Sequence, residues 1–130
     1  MTQADQSVQL ASTSAALRAA WQAERAAATA ARRLGDRASE WHHLERAHIL
    51  SQPMAWLHLR NHGAMFRAAI RRRDVRETVG QVLRLFVAAP GSLSGRYPVG
   101  NTGGADVSAF TPMAIPDDLL PLLTAIGGTR

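Results

Sequence analysis

The sequence predicts an all-α protein: two consecutive helical hairpins, then a long irregular segment that ends in a short helix. Three observations predict it. Apolar residues recur at three- and four-residue spacing through four successive stretches between Ser14 and Val87. The breaks Gly35-Asp36 and Arg73-Asp74 alternate with Pro53 and Pro90 at nearly equal intervals, so that helix ends come in pairs. After Pro90 the composition changes, and five glycines and three prolines crowd residues 91–116.

The elements follow in order. Residues 1–12 are polar and aperiodic and are expected to be a disordered lead. From about Ser14, Leu17, Trp21, Glu24, Ala28 and Ala31 mark the first helix, which Leu34-Gly35-Asp36 stops. The second, from about Arg37 to Leu50, carries Trp41, Leu44, Ala47 and His48 on one face and ends at Ser51-Gln52-Pro53. Pro53 suits the start of the third helix, which runs to Ile70 or Arg71. The fourth has an apolar stripe of Val75, Val79, Val82, Leu83, Phe86 and Val87, expected to face the core, and Pro90-Gly91 closes it. Residues 13–90 thus form a four-helix domain, and residues 91–130 a Gly/Pro-rich segment wrapped over it. Asp117-Asp118 suit the N-terminus of a capping helix, with Leu119, Leu120, Leu122, Leu123 and Ile126 docking before Gly127-Gly128.

Composition narrows the function. The 130 residues, 46% of them hydrophobic, fit one small domain. With no cysteine there is no disulfide, no thiolate zinc site and no cysteine nucleophile. No apolar run approaches the roughly 18–20 residues of a membrane span, and the polar start is no signal peptide, so a cytoplasmic protein is expected. The net charge of +5 rests on arginine, since the chain has no lysine. The densest basic run, Arg67 and Arg71 to Arg73 with Arg76, lacks aromatic support, and a solvated helix face is preferred to a nucleic-acid site. Gly100-Asn101-Thr102-Gly103-Gly104 matches neither a P-loop nor a dinucleotide fingerprint and reads as a tight surface turn, with positive φ at Asn101 and the glycines.

All five histidines lie between His42 and His62. At about 100° per residue, His48 falls on the core stripe beside Trp41, His43 falls on the solvent side, and His58 and His62 share the stripe of Met54 and Met65. Glu24 and Glu45 also fall on core stripes, where a carboxylate requires a cation, a histidine or a metal, whereas Glu77 faces away from its stripe. His48 and His58 are equidistant from Pro53, with Glu45 and His62 one turn deeper and Glu24 level with Glu45, so the five groups converge. The sequence therefore predicts one divalent metal (Fe, Zn, Mn or Cu) on Glu45, His48, His58 and His62, with Glu24 and Glu45 as the acid–base candidates. Glu45-Arg46-Ala47-His48 is the Glu-x-x-His motif of carboxylate-bridged bundles, without their second copy. Haem is a further option that requires a larger apolar slot.

Two resemblances add to this. From Trp21 through Gly35-Asp36 to Pro53, the first hairpin resembles a tetratricopeptide unit, although such arrays need three or more repeats, and a closed bundle is equally compatible. The stretch Trp41 to Leu50, His58, His62, the glycine-rich turn with Ala105, and Pro112 to Pro116 together resemble the bacterial family called domain of unknown function 3703. That resemblance implies a small stand-alone protein and no particular activity.

The leading reading is a small soluble helical protein that holds one divalent metal in its core, as a metal-dependent enzyme or a metal-handling protein. The alternative is a tetratricopeptide-like interaction module. In it Arg60, Asn61 and Arg67 line a groove for a protein partner, and the histidines form a structural hydrogen-bond network. A non-metal enzyme would use His62 with Glu45 as general base.

Overall fold

The computed structural model describes residues 2–127; Met1, at the tip of the expected lead, and Gly128, in the expected stop, lie outside them. Four helices, α1 (Gln3–Arg33), α2 (Arg37–Ser51), α3 (Ala55–Arg72) and α4 (Val75–Leu93), are followed by an irregular stretch and the short α5 (Leu120–Thr124). The described residues contain no strand. Helices α1 and α2 pack as one hairpin and α3 and α4 as a second, joined by packing of α2 on α3. No helix among the described residues is long and apolar enough to cross a membrane.

The breaks act as their chemistry requires. Asp36 and Asp74 cap α2 and α4 by accepting from the backbone N–H of Ser39 and of Glu77, both at 2.9 Å. Arg73 closes α3 in the left-handed region at φ 56°, and Gly35 makes the first turn at φ 74°. Three boundaries differ from expectation. Helix α1 begins at Gln3 rather than near Ser14, because Thr2 and Asp5 form a capping box that satisfies its first turn; residues 3–12 are thus helical and exposed, not an irregular lead. Pro90 sits inside α4, which continues to Leu93: a proline in the last turns removes only the bond to the Phe86 carbonyl, on a face open to water. Asp118 does not start α5 but pairs with Arg46 at 2.5 Å.

The core lies between α1, α2 and α3 and is covered by the chain's end. Leu17, Trp21, Ile49, Leu50 and Leu57 bury against Leu119 and Leu123, with Leu122 and Ile126 partly buried beside them as expected, whereas Leu120, also expected to dock, is exposed. A second cluster joins Ala28, Leu44, Ala64, Met65 and Ala68. The largest departure concerns α4. Its apolar stripe is on the outside: Val75, Val79, Leu83 and Phe86 are all more than half exposed. The buried face is polar, with Glu77, Gln81, Arg84 and Ser92 turned inward beside the small Ala88. The physical reason lies in α3 and the glycine-rich segment, whose histidines and backbone groups need hydrogen-bond partners that valine and phenylalanine cannot supply.

Candidate functional site

His48 comes from α2 and His58 and His62 from successive turns of one face of α3. His48 meets each of the other two rings edge-on, His58 and His62 are tilted to each other, and the centroids lie 4.6–4.9 Å apart. His48 Nε2 lies 2.9 Å from His58 Nε2 and 3.1 Å from His62 Nε2. Each side chain is at most 5% exposed. One ligand nitrogen from each lies within 4.8 Å of the others, a spacing that could hold a metal ion.

What the outer nitrogens do decides the chemistry. His48 Nδ1 donates to the Asn101 carbonyl at 2.7 Å, so its Nε2 carries a lone pair when the ring is neutral. His62 Nδ1 meets Gln81 Oε1 at 2.7 Å. The Gln81 amide is oriented, because its Nε2 donates to Glu77 Oε1 at 2.6 Å and to the Gly103 carbonyl at 2.8 Å; its oxygen must therefore face His62, whose Nδ1 must donate. His58 Nδ1 lies 2.6 Å from Ser92 Oγ, a hydroxyl that can either donate or accept. Burial pushes His58 down to about 3 and His62 down to about 4, and it holds His48 well below the usual imidazole range, with the neighbouring imidazoles reinforcing the shift in His48 and His58. At neutral pH the uncharged His48 and His62 thus aim their Nε2 lone pairs inward, His58 Nε2 faces the same point, and each outer nitrogen is engaged. Outer partners that fix tautomer and ring orientation in this way accompany metal-ligating histidines. For bonds of about 2.0–2.1 Å, neighbouring ligand nitrogens lie about 3 Å apart, close to the two short separations here.

The glycine-rich segment is a wall of this site rather than a surface turn. Gly100, Asn101, Gly103 and Gly104 are buried, and positive φ falls on Gly100 and Gly103 but not on Asn101, whose side chain is occupied with the Ser108 and Thr111 carbonyls. A Cβ on Gly103, at φ 82°, would stand 2.7–2.8 Å from ring atoms of His48. Gly103→Ala is therefore expected to displace that ring and to destabilise the fold by about 1–3 kcal/mol. Gly35→Ala has the same backbone strain but open space around its Cβ and should lose less. Urea denaturation of both variants checks this, and equal losses would remove the steric argument.

The carboxylates expected at the site are elsewhere. Glu45 accepts from Trp41 Nε1 at 3.0 Å and is outside the trio; burial raises its pKa. Glu24 is held by His43 Nδ1 at 2.7 Å and Arg46 Nε at 2.8 Å, tying α1 to α2, so it is not free to accept a proton for the trio. His43 is correspondingly half-buried rather than solvent-facing. Glu77, expected to face away, is buried and joins the site through Gln81, its second oxygen accepting from the Ala105 N–H at 2.7 Å. Asn61 does not line a groove: it is fully buried and donates to the Leu44 carbonyl. Gln81, Glu77, Ser92 and Asn101 were missed in the sequence. A signal for three of them existed, since Glu77, Gln81, Arg84, Ala88 and Ser92 form a second helical stripe on α4 of polar and small residues.

A cavity of about 430 Å³ opens onto all three histidines, between the C-terminal half of α4 and the segment from Arg96 to Phe110. Its remaining wall is largely apolar, with Phe86, Val87, Tyr97, Pro98 and Phe110, and Arg84 lines it too.

The model of a family described as a protein of unknown function, DUF3703, matches residues 15–123. No curated protein and no solved structure matches the chain.

Proposed function

Because the chain belongs to the DUF3703 family, whose description assigns no chemistry, we propose from the site alone that His48, His58 and His62 hold one divalent transition metal through Nε2. A single observation carries this reading: three buried imidazoles bring their Nε2 atoms together while every Nδ1 is occupied by Asn101, Gln81 or Ser92, and the carbonyl oxygens of Asn101 and Gln81 leave His48 and His62 with inward lone pairs. The lone pairs of His48 and His62, 3.1 Å apart with no proton between them, repel unless a cation fills the gap. A purely structural network would place a donor opposite each acceptor.

Three imidazoles leave coordination positions open, and the adjoining cavity gives small molecules access to them. This favours a metal-dependent enzyme or a ligand-binding metal protein over a closed structural site. The chemistry such an ion supplies is Lewis-acid activation of water or of a bound carbonyl, or oxygen chemistry with iron or copper. The interaction-module alternative keeps one observation in its favour, the exposed apolar stripe of α4.

The deciding measurement is metal per chain, by elemental mass spectrometry on protein purified without chelator and again after reloading the chelated protein with Fe²⁺, Zn²⁺, Mn²⁺ and Cu²⁺ in turn. About one ion per chain is expected for at least one metal. Protein that takes up none of the four would overturn the metal reading and leave the interaction module.

A further inference from the structure

The charges on the cavity wall have one sign. Among the described residues lining it, Arg84 and Arg96 are cationic, the three imidazoles are neutral, and no Asp or Glu is present. Arg84 is the informative group. It is 8% exposed, yet its single hydrogen bond among the described residues runs from Nη2 to the Val107 carbonyl at 2.6 Å. None of the ion pairs among the described residues includes it. Glu77 and Asp106 act on it through space, but both oxygens of Glu77 are already taken by Gln81 and the Ala105 N–H. A desolvated guanidinium with donors to spare, facing a cavity, is complementary to an anion from outside.

The rest of the cavity restricts which anion. Phe86 and Phe110, both more than three-quarters exposed, flank the opening, and Val87, Tyr97 and Pro98 continue the apolar wall inward. The volume of about 430 Å³ is at the small end of ligand pockets. Inorganic phosphate would leave this apolar wall unused, and a nucleotide would set its polar ribose and phosphates against it.

We propose that the cavity binds a small organic carboxylate with an apolar body, its carboxylate on Arg84 and its body between Phe86, Val87 and Tyr97. The proposal deepens the metal reading, because the ion would lie on the same cavity, but the Arg84 seat exists with or without it. A planar fork matches a carboxylate in two-point contact, which is why arginine suits this role.

Benzoate and its neutral isostere benzamide test this by isothermal titration calorimetry on the full chain, both chelated and zinc-loaded, with Arg84→Met alongside. Benzoate is expected to bind at least about tenfold more tightly than benzamide, and Arg84→Met to lose about tenfold or more in benzoate affinity with its helical circular dichroism and zinc stoichiometry unchanged. If Arg84→Met fails to fold, the benzoate-to-benzamide ratio on the wild-type protein decides. Equal binding of the two, no binding of either, phosphate binding in place of benzoate, or undiminished benzoate binding by a folded Arg84→Met each overturns the proposal. If the protein takes up no zinc, the metal reading falls by itself, and the same ratio on the chelated protein still judges the carboxylate seat.

Discussion

Replacing His48 with alanine is expected to abolish stoichiometric metal binding, taking the protein from about one ion per chain to none that survives purification. His48 is the central member of the trio, within 2.9 Å of His58 Nε2 and 3.1 Å of His62 Nε2, and its own ring is pinned by Asn101. Loss of an outer-shell partner alone commonly weakens a metal site about 10–100-fold, so loss of a ligand should exceed that range. Gln81→Leu supplies the intermediate case, because it removes the acceptor that orients His62 while leaving all three imidazoles. Glu45→Gln and Glu24→Gln should retain metal, their carboxylates being engaged with Trp41 and with His43 and Arg46. Competition against a chromophoric chelator, with circular dichroism to confirm folding, measures the whole series. A folded His48→Ala that binds as tightly as wild type would remove the trio as the metal site.

Acidification from pH 7 to pH 5 is expected to destabilise the metal-free protein by on the order of 4 kcal/mol through His58 and His62, about 2 kcal/mol each. Folding pushes these rings down to about 3 and about 4 from the usual 6.5. Between those values the unfolded chain binds protons that the folded chain refuses, so stability falls as pH falls. The loss begins near 6.5 and ends once the folded-state values are passed. His48 is shifted in the same direction and adds to the loss. The lowered carboxyls Asp5, Asp36 and Asp118 act only below their ordinary 3.8, outside this window. Glu45, raised by burial, works the other way at its acid end. Urea denaturation in the presence of chelator at pH 7, 6 and 5 checks the slope, and His58→Gln should flatten it by roughly 2 kcal/mol over the interval. A profile flat from pH 7 to pH 5 would mean that the rings are not buried as described.

How much of this was legible depends on the range of the interaction. Asp36, Asp74 and Gly35 act within one helical turn of themselves, and they mark the helix ends in the chain as they do in space. His48, His58 and His62 were also readable, because helical spacing fixes their faces and a tight turn at Pro53 fixes their relative height. Glu24 and Glu45 show where that reasoning stops. Both are only half-buried, and a wheel assigns a face without saying which neighbour occupies it; the nearest partners are His43, Arg46 and Trp41.

The amino-acid pattern alone thus determined an all-α chain of paired helices, an irregular glycine-rich stretch and three inward histidines, since each depends on local spacing and backbone preference. Which face of α4 turns inward was decided only in the tertiary structure. By hydropathy Val79, Leu83 and Phe86 should be buried, yet Glu77, Gln81, Arg84 and Ser92 are. The Nδ1 atoms of His58 and His62, with the Gly103 and Val107 carbonyls, would lose hydrogen bonds against an apolar face. The cost of burying several polar groups unsatisfied outweighs the gain from covering a few aliphatic side chains, and it becomes visible only when groups from α2, α3 and the 96–110 segment are brought to the same place.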